Sequence, residues 1–364
     1  YRNINIRSTL SATGTSSLEM TSGSGGSGSI DYGLTGSGFA GKVNFDRAGS
    51  GFLTINGSGY NVINSLADLQ ALTLNNSGVK YYLGADLDAS ATSTWNSGAG
   101  FAPIGSNSGS SFDGVFDGGG HTIGNLTINR AGQENAGLFG YTTWATLINL
   151  GLTNVNISGG NNTGGLAGSM THGGIHSSYV TGSVSGQQGV GGLAGFLGGG
   201  TITNSYATAG VSATDIYVGG LVGAVGESGS ISASYATGSV SGQYGVGGLV
   251  GILENGSVTN SYATGSVTAT ETNTSQLGSL VGHGGGTSTS TITASYATGR
   301  LNHVWAFNYG LVGGDSATVT NGYWDRQTTG GDGDVFNLGT GLTTAQLMSG
   351  LPTGFSSDVW GIIP

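Results

Sequence analysis

Val218-Gly219-Gly220-Leu221-Val222-Gly223, followed by Gly229-Ser230-Ile231-Ser232-Ala233-Ser234-Tyr235-Ala236-Thr237-Gly238-Ser239-Val240-Ser241-Gly242, is a unit that the chain repeats. It returns at Gly192-Leu193-Ala194-Gly195 with Ser205-Tyr206-Ala207-Thr208, and at Gly248-Leu249-Val250-Gly251 with Ser261-Tyr262-Ala263-Thr264-Gly265. Weaker copies stand at Gly137-Leu138-Phe139-Gly140, Gly165-Leu166-Ala167-Gly168, Leu280-Val281-Gly282 and Gly310-Leu311-Val312-Gly313. The repeat leucines at 138, 166, 193, 221, 249, 280 and 311 are spaced 27 to 31 residues apart. A period in this range marks a solenoid or array before any local signal is weighed.

Each repeat holds three short strand-like segments divided by glycines: one around Gly-Gly-Leu-Val-Gly, one around Ile-Ser-Ala-Ser-Tyr-Ala-Thr, and one around Ser-Val-Ser. None can bury a face alone, but stacked at about 4.8 Å each pairs with its copy above and below, giving three parallel sheets around a narrow core. A helical solenoid is excluded, because runs such as Gly-Ser-Val-Ser-Gly lack a helical period and helix formers. Strand parity puts Ser234, Ala236, Gly238 and Val240 on the inner face and Tyr235 outside. Tyr179, Tyr206, Tyr235, Tyr262 and Tyr296 then form a ladder up one side of the coil.

Composition narrows the function. The 364 residues include 76 glycines and three prolines, only 7% are charged, and the net charge is −10. Between Ala131 and Gly299 there is no lysine or arginine. Nucleic acid needs a basic stripe, and anionic membranes need the same, so neither is expected as a partner. No stretch approaches the roughly 18 apolar residues of a membrane span. The absence of cysteine removes disulfides and thiolate metal sites and suits export of an unfolded chain. Tyr1-Arg2-Asn3-Ile4-Asn5-Ile6 opens in strand-like alternation without a signal-peptide pattern, which reads as a fragment of a longer chain.

Four regions are expected: lead-in coils over 1–60, irregular coils with a short helix and a loop insertion over 61–135, the repeats over 136–325, and a cap over 326–364. Ser65 followed by Asp68, with Leu66, Leu69 and Leu72 on one face, predicts a capped helix. Thr343-Thr344-Ala345-Gln346-Leu347-Met348 predicts a second, closed by Gly350 and Pro352. Residues 92–111 form a Ser/Asn/Gly excursion, and Phe355, Val359, Trp360, Ile362 and Ile363 are expected to cover the open end of the core.

The repeat words resemble the glycine-rich GLUG repeats of bacterial surface proteins. The lead-in Phe112-Asp113-Gly114-Val115-Phe116-Asp117-Gly118-Gly119-Gly120-His121-Thr122-Ile123 with Asn125-Leu126-Thr127-Ile128 resembles the segment preceding them in filamentous haemagglutinin-like adhesins. Gly322-Tyr323-Trp324-Asp325 and Gly341-Leu342-Thr343-Thr344-Ala345-Gln346-Leu347 are similar to that family's end of the array. The resemblance, covering about residues 50–364, implies a two-partner-secretion exoprotein at a Gram-negative surface, with a right-handed parallel β-helix as its shaft. Similar repeats accompany some secreted immunoglobulin proteases, but this chain has no His-Glu-x-x-His motif.

The candidate chemistry is sparse. Asp113, Asp117 and His121 are the densest titratable cluster and carry a glycosidase reading, against which Asp-Gly is ordinary turn chemistry. Asp332 with Asp334, and Asp86 with Asp88, are too few oxygen ligands for a calcium site, so calcium stays unsupported and no cofactor is expected. His172 and His176 straddle Gly173-Gly174, which opposes the helix a zinc pair would need. The tyrosine ladder is the leading surface feature: stacked rings can bind sugars through their faces, or simply stiffen the coil. β-Helices also house polysaccharide lyases, but a repeat region without bases does not supply their chemistry.

The sequence thus predicts an all-β parallel β-helix with three short strands per coil of about 28 residues. Roughly a dozen coils would make a rod about 60 Å long. It is expected to be a non-catalytic adhesin shaft whose partner is a carbohydrate or cell-surface receptor. The alternative is a self-assembling filament or matrix fibre whose partner is another copy of itself; a polysaccharide-cleaving enzyme is a distant third.

Overall fold

The computed structural model describes residues 3–23, 28–271, 276–285, 290–302, 310–314, 316–330 and 338–360. The chain is all-β, with short parallel strands stacked into a solenoid of about eleven turns. One turn runs Val222–Gly226, Ser230–Ser232, Tyr235–Ala236, Val240–Gly242 and Tyr244–Gly247. The three segments of the repeat are all present, and the second is broken in two at Ala233, whose φ is +47°. Copies stack in register: Ile231 lies between Ile202 and Val258, and Tyr235 between Tyr206 and Tyr262.

The inward column Leu193, Leu221, Leu249, Leu280 and Leu311 is fully buried, each leucine contributing about 2 kcal/mol of transfer free energy. The glycines around it are there for space. A Cβ on Gly220 would stand 2.2 Å from the Gly248 carbonyl oxygen and 2.8 Å from the Ala236 Cβ, and one on Gly223 would stand 2.4 Å from the backbone at Gly189 and Val190. The corner between two sheets is so tight that successive coils meet backbone to backbone.

Beside the leucines runs a ladder of buried serines. The amide of Ser205 donates to Ser234 Oγ, that of Ser234 to Ser261 Oγ, and that of Ser261 to Ser295 Oγ, all at 3.2 Å. The hydroxyls of Ser205, Ser234 and Ser261 donate at 2.8 Å to the carbonyl two residues back. The preceding residue sits in the left-handed region, with φ of 50° at Asn204, 47° at Ala233, 50° at Asn260 and 46° at Ala294. Asparagine tolerates that region well. The kink it makes aims the serine inward and the tyrosine outward.

The first 55 residues stack in parallel, Ile4–Asn5 on Ile30–Asp31, Thr9–Ala12 on Lys42–Phe45 and Leu18–Met20 on Leu53–Ile55. With Val62 and Tyr82 they form a separate core that includes Tyr32, Val43 and Leu53. The hairpin of Gly49–Ile55 with Ser58–Ile63 is antiparallel, and Ser58–Ile63 then pairs in parallel with Lys80–Leu83. Strand direction therefore reverses there, and the N-terminal unit packs on the flank of the solenoid. The amide of Phe45 donates to Gly84 O at 2.8 Å, and His121 Nε2 lies 2.9 Å from Val43 O.

Both expected helices form: α1 (Leu66–Gln70) is capped by Ser65 Oγ, and a later helix (Thr344–Ser349) has a reciprocal Thr343/Gln346 capping box. A further short helix, Arg326–Thr329, is capped by Asp325, and the 92–111 excursion begins as irregular 3-10 turns over Ser90–Gly98. The C-terminal aromatics do not cover the end of the core. Phe355 and Trp360 turn back onto the tyrosine ladder, Val359 is exposed, and Ile362 and Ile363 lie outside the described residues.

Candidate functional site

The ladder is real and regular. Ring centroids from Tyr179 to Tyr206, Tyr235, Tyr262 and Tyr296 are 5.0, 4.8, 4.7 and 5.1 Å apart, with interplanar angles of 11° or less. Tyr235 points outward between buried Ser234 and Ala236, as parity requires. Each stacked pair contributes about 1 kcal/mol beyond its buried area. Burial pushes the phenols of Tyr235 and Tyr296 up to about 12, with neighbouring Tyr262 adding to both, so they stay neutral at physiological pH.

The outward face is not open along its length. A small N-terminal hairpin, Leu34–Thr35 with Gly38–Phe39, lies on its lower end: Phe39 packs on Tyr179 at 5.7 Å, and Tyr179 and Tyr206 are buried. At the upper end Trp360 packs on Tyr296 at 5.3 Å and on Tyr262 at 6.0 Å, while Phe355 packs on Tyr323 at 5.5 Å. The Tyr323 hydroxyl donates to Thr353 O at 2.9 Å. Two arms from opposite ends of the chain thus grip one stripe of rings. Below the midpoint, an open groove of about 600 Å³ runs between the N-terminal arm and the solenoid wall at Thr203, Asn204, Tyr206 and Tyr235.

The carboxylates singled out in the sequence are drawn into structural bonds. Asp113 is half-buried and accepts the Asn76 amide. Asp117 is buried, and its Oδ1 accepts the Gly119 amide at 2.9 Å and Asn149 Nδ2 at 3.0 Å. Burial pushes the Asp117 carboxyl up to about 6, although the Gly119 and Asn149 bonds and nearby His121 pull the other way. His121 is buried with Nδ1 3.1 Å from Asp86 Oδ1, and Lys42 also binds Asp86. Although burial opposes it, the hydrogen bonds from His121, Lys42 and the Thr122 amide hold the Asp86 carboxyl well below the usual range. Asp88 accepts from Ser90 and Asn125 in a turn. None of these carboxylates lines the groove beside the ladder.

Among the described residues no group of three or more His, Asp or Glu is placed to hold a metal ion. Asp332 and Asp334 lie outside the described residues. His172 stacks on Trp144 at 4.2 Å, whereas His176 Nδ1 is 2.7 Å from Thr203 Oγ1, so the two histidines serve different places. Trp144, 67% exposed with φ of +56°, gives no signal in the sequence. Nor does the buried group of Asp117, Asn149 and the hydroxyl pair Tyr32–Tyr82 at 2.9 Å, whose members come from distant segments. No described helix is long and apolar enough to cross a membrane.

Two segments, 186–212 and 242–268, match the model of the GLUG motif. The glycine corner and the serine–tyrosine kink described above are thus what that motif encodes here. The chain is 45% identical over 130 residues to halomucin of Haloquadratum walsbyi; the match covers 33% of this chain and 1% of that protein. A solved structure from Bacteroides ovatus, named as a candidate immunoglobulin A1 protease, aligns with a TM-score of 0.50 at 21% identity, over 73% of this chain and 75% of that one. That likeness shows the fold alone.

Proposed function

We propose that this chain is a non-catalytic segment of an extracellular adhesin, of the filamentous haemagglutinin-like kind that its lead-in and closing sequences resemble. The supporting observation is the unbroken stacking of identical positions over successive coils, which yields a stiff rod presenting a repeated, nearly uncharged face. Such a face suits weak contacts that gain strength by number. The GLUG matches and the similarity to halomucin support a repeat-rich extracellular setting. Attachment of the purified chain to cells and to polysaccharide-coated surfaces, with sedimentation of the same sample, tests the reading. Attachment by a monodisperse rod is expected. Long assemblies that attach to nothing would replace it with a self-assembling fibre.

A further inference from the structure

The groove beside the ladder has the chemistry of a small ligand site. Its volume of about 600 Å³ falls within the roughly 300–1,000 Å³ of small-molecule pockets. One wall is the N-terminal arm at Asp31, Leu34 and Thr35; the other is made by four successive coils through Asn149, Ser177, Asn204 and Tyr235. Among the described residues the only side chain in either wall with a fixed charge is Asp31, and it is occupied by Arg7 at 2.6 Å and by the Gly33 amide at 2.7 Å. An anion finds no free cation there and a cation finds no free carboxylate.

What remains is neutral and two-sided. Tyr235 and Leu34 supply apolar surface, while the side-chain amide of Asn204 and the Ser177 hydroxyl make no hydrogen bond to other side chains or backbone among the described residues. The strand Thr201–Thr203 is already paired on both edges, so the solenoid wall offers no backbone ladder to an extended peptide. Equivalent positions recur up the wall at the spacing of the ring stack, 4.7 to 5.1 Å, which is of the order of one sugar ring along an oligosaccharide. We infer that this groove binds a short neutral oligosaccharide, packed against the outer edge of Tyr235, whose two faces are taken by Tyr206 and Tyr262, with hydroxyls on Asn204 and Ser177. The inference deepens the adhesive reading and rests on it.

Asn204→Ala is the decisive variant, because the next coil already carries alanine, Ala233, at the same left-handed position. Asn260→Ala, one coil above Ala233 and outside the groove, is the positional control. Saturation-transfer NMR with neutral gluco-, manno- and galacto-oligosaccharides, and with a uronate oligosaccharide as the acidic comparator, reads binding directly. The neutral probes should bind, the uronate should not, and Asn204→Ala should weaken binding about five- to tenfold, with Asn260→Ala unchanged. Equal losses in both variants would overturn the groove and leave sugar binding spread along the ladder. A chain that still attaches to cells while no neutral probe binds would overturn the groove and leave the adhesive reading intact. If neither attachment nor binding occurs, both fall.

Discussion

Replacing Ser234 by alanine removes one rung of the buried serine ladder, and its cost can be worked from the bonds. Ser234 Oγ accepts the Ser205 amide at 3.2 Å and donates to the Ser232 carbonyl at 2.8 Å. The Ser232 carbonyl keeps the Asn204 amide at 3.2 Å, so it is not orphaned. The Ser205 amide has no such reserve, since Ser205 is 1% exposed and water cannot replace the lost acceptor. One buried unsatisfied donor costs about 1–3 kcal/mol. In a solenoid the loss should be felt locally, because each coil contacts chiefly its neighbours. Native-state hydrogen exchange at the Ser205 amide is therefore the sharper assay, run beside guanidinium unfolding. A loss of about 2 kcal/mol corresponds to roughly thirtyfold faster exchange through local opening. Ser232→Ala, whose hydroxyl is outside the ladder, should stay within about 0.5 kcal/mol. A Ser234→Ala chain with Ser205 still protected and stability within 0.5 kcal/mol would refute the ladder as a stabilising device.

Four further outcomes follow from the packing. Asp117, whose carboxyl is raised from 3.8 to about 6 by burial, binds its proton more tightly folded than unfolded. Its contribution to stability therefore grows as pH falls from about 6 towards 4 and is lost as pH rises through 6, a swing on the order of 3 kcal/mol. Asp117→Asn should flatten denaturant midpoints across pH 4.5 to 7; an unchanged slope would place the titrating group elsewhere. Asp86 has the opposite sign: its lowered carboxyl gives stability that disappears as pH falls below the ordinary carboxylate range, so acid unfolding should begin there in both chains. Gly220→Ala forces a methyl to within 2.2 Å of the next coil's backbone and should cost several kcal/mol, against under 0.5 for Gly59→Ala, which meets nothing. Trp360→Ala should uncover Tyr262 and Tyr296 and raise tyrosine accessibility to acrylamide quenching while coil stability, read by exchange at Ser234, changes little.

The architecture was legible because period and parity are properties of sequence alone. The spacing of Leu193, Leu221 and Leu249 fixes the coil, and alternation around Tyr235 fixes which side faces out. The cap at Ser65 and the short helix after Thr343 were legible because their signals are local, although the Thr343 capping box itself was seen only in the structure. What was not legible depends on pairs far apart in the chain. Nothing in Leu34-Thr35-Gly36 says that it will lie against Tyr235, nor in Phe355 and Trp360 that they will leave the core end for the rings. The Asp-Gly lead-in illustrates the limit well. Asp117 and His121 stand four apart, but Asp117 turns to Asn149 and His121 to Asp86, so the apparent cluster dissolves into two structural contacts.

The two arms also change how the rod should answer to load. A stack of coils held only by neighbours fails one coil at a time, each release small and independent. Here the N-terminal unit is tied to residues 84 and 119–121 and again to Tyr179, two coils above the latter, while the C-terminal arm spans Tyr262 to Tyr323. Tension between the chain's ends must slide these arms along the ring stripe before any coil can peel. Many side contacts then break together, and the yield force is set by shear at the tyrosines rather than by the weakest turn.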